Sequence, residues 1–222
     1  MKKYALGMMA MGLMAGSASA ATITWTSAPF VNEGVNEGTM GTGQFDTSGT
    51  LLYAENTGGG ATTYDGIAYS AGAISFPGGN ANVFHDVNAV SGTGTFGNSG
   101  ADTVTLGTGG VGPALNIGTE YRVEVLIMDG RAGAANRNVQ VDGVDRGSHA
   151  NGISGITWGD GLLVTGTFTA DAATQTFTVE VLDGTTSAGG QINALLLTEV
   201  PEPGSLALLG LGSLLIARRR RD

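Results

Sequence analysis

Apolar and polar positions along the chain alternate in short runs broken by glycine, the period-two signature of half-buried strands. The clearest run is Glu120–Asp129, where Tyr121, Val123, Val125 and Ile127 share one face. Its other face begins polar, with Arg122 and Glu124, and ends apolar, with Leu126 and Met128. That pattern predicts a central strand covered on both sides at one end. Asn138–Asp142 follows, and Asp142-Gly143 is a two-residue hairpin signal. Leu162–Thr169 and Thr174–Leu182 read as a hairpin joined by Ala170-Asp171-Ala172-Ala173. In its second arm Phe177, Val179 and Val181 point inward, while Thr176, Thr178 and Glu180 point outward. Gln191–Glu199 closes the domain with Ile192, Ala194 and Leu196 on one face.

The first half is patterned more loosely. Thr22–Thr26, Gly43–Asp46, Leu51–Glu55, Ala73–Phe76, Val83–His85 and Val104–Leu106 are its candidate strands, and Trp25 in the first is expected in the core. Segments such as Gly58-Gly59-Gly60 and Pro77-Gly78-Gly79-Asn80 are loops. No stretch joins a helical apolar period to low glycine. About ten strands spaced like those of a sandwich, without a repeat period, predict an all-β fold, an antiparallel jelly-roll β-sandwich.

The two ends break the pattern. Lys2 and Lys3, the apolar run Tyr4 to Met14 and Ala18-Ser19-Ala20 make residues 1–20 a cleavable signal peptide, cut between Ala20 and Ala21. Residues 21–199 form the β-domain, and 200–222 are a tail of three parts. Val200-Pro201-Glu202-Pro203 is stiff and extended, Leu206 to Ala217 carries no charge, and Arg218, Arg219, Arg220 and Arg221 close the run. As a helix, the uncharged stretch from Pro203 spans about 22 Å, short of a hydrocarbon core of about 30 Å. The arginines can reach the headgroups, so the tail reads as a C-terminal transmembrane helix that holds the domain outside only for a time.

Composition narrows the chemistry. Between the two ends stand four arginines against seventeen carboxylates, a formal charge of −13. Such a surface repels nucleic acid and anionic headgroups. The chain has no cysteine, which excludes thiol catalysis and a disulfide scaffold, and the domain has no lysine, which excludes Schiff-base and P-loop chemistry. His85 and His149 lie nearly 65 positions apart and no Gly-x-Ser-x-Gly elbow is present, so neither a zinc site nor a serine triad is marked. Asp129 and Arg131, at the end of the central strand, are the first choice for a loop-borne polar site, with a turn aspartate and a surface ion pair as the plainer explanation. Trp158, Tyr64 and Tyr69 are the rings that could stack on a sugar, or simply pack. Asp142-Gly143-Val144-Asp145 resembles part of a calcium loop, but a hairpin turn explains it better.

The tail closely resembles the PEP-CTERM sorting signal, whose three parts stand here in order. That resemblance implies recognition by an exosortase-like membrane protease, export through the general secretion machinery, and delivery to the cell surface or extracellular matrix of an exopolysaccharide-producing bacterium. A looser resemblance covers residues 120–198. Tyr121–Asp129, Arg131, Arg137, Val139–Gly143, Val164–Thr169 and Gln191–Leu197 look like galactose-binding-like jelly rolls. It implies a carbohydrate-binding fold, for which structural calcium held by backbone carbonyls and one Asp is common; no other cofactor is expected. The expectation is a non-catalytic, exported surface or matrix protein that binds exopolysaccharide and no nucleic acid. The alternative is a secreted enzyme acting on extracellular polysaccharide.

Overall fold

The computed structural model describes residues 21–30, 43–83, 93–129, 137–148 and 161–201. Among them the chain is all-β. In the N-terminal half the strands are β1 (Thr24–Phe30), β2 (Thr50–Asn56), β3 (Thr62–Tyr64), β4 (Ile67–Ala71), β5 (Asn80–Val83), β6 (Thr93–Phe96) and β7 (Asp102–Gly107). There follow β8 (Glu120–Ile127), β9 (Asn138–Val141), β10 (Val144–Ser148), β11 (Gly161–Thr169) and β12 (Thr174–Asp183). The last are β13 (Thr186–Ser187), β14 (Gln191–Ile192) and β15 (Ala194–Glu199). They build a seven-stranded sheet in the order β1-β11-β8-β15-β2-β4-β3, a five-stranded sheet of β10-β9-β12-β13 with β7 also on β12, and a small β14-β6-β5 sheet.

The alternation on β8 fixes the layering. Tyr121, Val123, Val125 and Ile127 join one core with Val104 and Leu106 of β7, Val139 and Val141 of β9, and Phe177, Val179 and Val181 of β12. The seven-stranded and five-stranded sheets therefore share this core. On the opposite face of β8, Leu126 packs with Phe30, Phe45, Ala54, Ile67, Tyr69, Leu163, Ala194 and Leu196 in a second cluster. Arg122 and Glu124, expected at an open end, are buried as well, so β8 is covered on both faces along its length. Each large side chain sequestered this way contributes roughly 1.5–3 kcal/mol of transfer free energy.

The Asp142-Gly143 hairpin forms as expected. Asp142 and Gly143 take φ of 53° and 70°, and Val144 pairs with Val141 across the turn. Both residues occupy the left-handed region that a type I′ turn requires, where aspartate and glycine cost least.

Four expectations need correction. Leu162–Thr169 and Thr174–Leu182 do not pair with one another: β11 lies between β1 and β8, while β12 bonds to β7, β9 and β13. Residues 170–173 thus cross from one sheet to the other, so that Phe168 and Phe177 enter the same core from opposite layers. The antiparallel rule fails at β2 and β4, which run parallel through Glu55–Ser70 and Asn56–Ala71. The closing segment is two strands, not one. Ile192 faces the shared core, whereas Ala194 and Leu196 face the second cluster, because Asn193 interrupts the alternation. Gly43–Asp46 and Ala73–Phe76 join no ladder. They lie over the sheets instead, delivering Phe45 to the second cluster and Phe76 to the shared core.

Candidate functional site

The end of β8 is where the sequence places a polar site. Asp129 has a fully buried side chain and pairs with Arg137, Nη1 to Oδ2, at 3.5 Å. Arg137 Nε lies 3.9 Å from Asp183 on the exposed side. Next to the pair, Gln191 donates to the Met128 carbonyl at 2.7 Å, and the Met128 N–H donates to Asn193 Oδ1 at 2.8 Å. Asn193 also donates from Nδ2 to the Thr93 carbonyl at 3.1 Å, so one buried amide joins the end of β8 to β6 and to the β14–β15 junction. The Asp129 carboxylate thus has the Arg137 guanidinium as one of its partners. Arg131, Trp158, His85 and His149 lie outside the described residues.

The aromatic candidates within the structure are mostly spent on packing. Tyr69 is buried, its hydroxyl enclosed without a hydrogen-bond partner, and burial pushes its phenol well above the ordinary range. Tyr64 is half-buried beside it. Trp25 is half-buried rather than central: its ring meets Phe177 edge-on at 5.2 Å, and its indole N–H donates to Asp142 Oδ2 at 2.8 Å. Asp142 Oδ1 also accepts from the Thr178 N–H at 2.9 Å, so the hairpin tip is tied to both layers.

Two buried polar groups escape sequence reasoning because charged residues in an alternating strand read as solvent-facing. On the outer face of β8, Arg122 holds the 46–48 loop through Asp46 Oδ2 at 2.5 Å and the Ser48 carbonyl at 2.7 Å. Glu124 accepts the Asp46 N–H at 3.0 Å and stands 3.7 Å from Arg122 Nε. Burial raises the Glu124 carboxyl above its usual value, against the pull of the Asp46 N–H and Arg122. Asp46 is held below the ordinary range by Ser48 and Arg122, which outweigh its slight burial. On the inner face, Glu55 Oε1 accepts the N–H groups of Ala73 and Ile74, each at 2.7 Å. The Tyr53 hydroxyl donates to Glu55 Oε2 at 2.5 Å, and burial with this carboxylate pushes the phenol up to about 12. Each group latches a loop onto a sheet.

A shallow open groove of about 280 Å³ lies between Ala73–Ser75, Thr103–Thr105 and Gly109–Val111. Among the described residues, none that lines it carries a carboxylate or an aromatic ring. Among the described residues no three of His, Cys, Asp or Glu converge to hold a metal ion, and no helix is long and apolar enough to cross a membrane.

The chain enters and leaves at one end of the large sheet. Thr24, Thr167, Arg122, Thr198 and Leu51 lie in one row across β1, β11, β8, β15 and β2. Just beyond that row, Gln175 holds the Ala21 carbonyl at 3.0 Å, and the Val200 N–H donates to the Glu120 carbonyl at 2.9 Å. Pro201 is exposed. Gly49, at φ 96°, presses against this exit: a Cβ there would collide with the Glu199 carbonyl and come within 3.3 Å of Pro201.

Residues 199–221 match the PEP-CTERM protein-sorting motif. Neither the curated proteins nor the solved structures contain a match to the chain. The resemblance of residues 120–198 to galactose-binding-like domains therefore gains no support. The motif marks an exported protein that is anchored in a membrane and then processed by exosortase, itself a membrane protein.

Proposed function

We propose that the domain from Ala21 to about Pro201 works at the cell surface or in the extracellular matrix as a non-catalytic protein that retains exopolysaccharide. The observation that carries this reading is the direct junction between the sorting motif and an inner strand of a layered β-domain. A signal peptide over residues 1–20 exports the chain, and a transmembrane helix between Leu206 and Ala217 holds it until processing. The two large sheets with their common core suit a jelly roll, in which β2 and β15, near the two ends of the domain, lie side by side. The alternative, an enzyme on extracellular polymer, rested on Asp129, whose buried pairing with Arg137 suits a structural duty better.

Retention of purified 21–201 on exopolysaccharide, and on a glycan array, tests the reading. The wild-type domain is expected to be retained and Trp158→Ala to be retained several-fold less. Absence of retention on every glycan sinks the binding function. Turnover of the polymer by the wild type, abolished in Asp129→Ala, replaces it with the enzyme.

A further inference from the structure

The sorting motif begins inside the folded domain. Its first residue, Glu199, ends β15 and lies opposite Thr50 on one side and Tyr121 on the other. Its second, Val200, is bonded to Glu120. Only at Pro201, which has no N–H to contribute and stands exposed, does the chain leave the sheet. Building on the sorting function above, we infer that the fold sets the upstream limit of the processing site. Every peptide bond through Val200–Pro201 is withheld, and Pro201–Glu202 is the first one offered to the enzyme.

The argument is one of competition for main-chain groups. A protease that takes an extended segment does so by forming main-chain hydrogen bonds along it, as an added strand would. The main chain of β15 is already engaged on both edges, by β2 and by β8. Its side chains are no more available, since Leu195, Leu196, Leu197 and Thr198 are all buried. A strand flanked on both sides cannot be drawn out alone; its withdrawal opens both hydrophobic clusters at once. The fraction of molecules exposing a bond within Leu195–Thr198 is therefore the small fraction that is globally unfolded, and fraying is confined to the last residues of the strand.

The downstream limit comes from the sequence. The apolar run starts at Leu206, five residues past Pro201. Five residues reach at most about 17 Å when extended. The processed bond lies in that short window, and the end of the sheet that carries Ala21 and Pro201 stands toward the membrane during processing. The step itself is acyl transfer. The scissile C–N bond breaks, and the tail leaves as a free amine after taking up one proton. The carbonyl carbon of the retained chain bonds the oxygen of water, or the nitrogen or oxygen of an amine or hydroxyl acceptor, which gives up that proton.

The test uses the full chain and membranes of a bacterium that processes this motif, with intact mass as the readout. The released wild-type product is expected to end at Pro201 or later, with β15 complete. A Gly-Ser-Gly-Ser insertion between Val200 and Pro201 is expected to speed cleavage several-fold by moving the site away from the sheet. The same insertion in the β12–β13 turn after Gly184 should leave the rate as it was. A product ending at Val200 or earlier overturns the inference, and so does a rate indifferent to the first insertion. If the wild type is never cleaved, the sorting function itself falls and this inference with it. The wild-type mass decides the limit even if the insertions fold poorly.

Discussion

Replacement of Asn193 by alanine tests the most connected polar residue of the domain. Its Oδ1 accepts the Met128 N–H and its Nδ2 donates to the Thr93 carbonyl, while its own main chain bonds to Leu126 and Thr57. Asn193→Ala leaves the main-chain bonds and takes the side-chain partner from both other groups. A buried group left without a partner costs about 1–3 kcal/mol. The Met128 N–H lies in the fully buried part and takes the upper half of that range; the Thr93 carbonyl is partly buried and takes the lower. The sum is about 3–5 kcal/mol. For a domain of this size each kcal/mol lowers Tm by roughly 2–4 °C, so a fall of about 10 °C is expected. Urea denaturation should show the midpoint falling with an unchanged slope, because the compactness of the native state is retained. Hydrogen exchange at the Met128 amide should accelerate more than at Val125, in the middle of the same strand. A destabilisation below about 1 kcal/mol, with Met128 as protected as before, would refute the view that this side chain holds the large sheet to the small one.

Three further outcomes follow from buried charge and turn chemistry. Because burial raises the Glu124 carboxyl, the folded domain binds that proton more tightly than the unfolded chain, and the stability it confers declines as pH rises from the ordinary carboxylate range through the raised value. Glu124→Gln should therefore be more stable than wild type at pH 7 but not at pH 4.5; identical pH slopes in urea denaturation of the two proteins count against it. Arg137→Met removes the 3.5 Å ion pair from buried Asp129 and should cost about 1–3 kcal/mol in thermal unfolding. Adding Asp129→Asn should recover most of that loss, and an additive double mutant would show that the pair is not coupled. Asp142→Ala removes the acceptor for Trp25 and Thr178 from a residue at positive φ and should cost about 1–2 kcal/mol, with Asp142→Asn costing less than half as much by the same measurement.

What the sequence reveals and what it hides divide along local and non-local lines. The Asp142-Gly143 turn is legible because a two-residue loop with two positive φ angles leaves few alternatives. The inward set of β12 is legible because alternation is a property of the strand itself. The pairing of β11 is not. A four-residue connection fits a hairpin as well as a crossover, and the decision falls to β1 and β8, which occupy both edges of β11. Asn193 hides in the same way: inside an alternating run it reads as one more position, and only its bonds to Met128 and Thr93 show that the strand breaks there. Glu55, Glu124 and Arg122 carry charges that a one-sided strand would turn to water. They are buried because loops from elsewhere in the chain bring N–H and carboxylate partners to them. Asp129 stands out in the sequence by its place at the end of the central strand, and that place is where the packing closes around it. The tail, by contrast, is legible in full order because its parts are read as a linear string.

The position of β15 also has a temporal meaning. β2 and β8 do not pair with one another; β15 lies between them, and its partners on β2 are about 140 positions earlier in the chain. Without it, the large sheet is two fragments, β1-β11-β8 and β2-β4-β3. Under the export from the N-terminus proposed above, this is the last of the described strands to be delivered. The sheet stays unsealed while the rest of the domain passes, and the moment of closure falls when translocation has almost reached the tail.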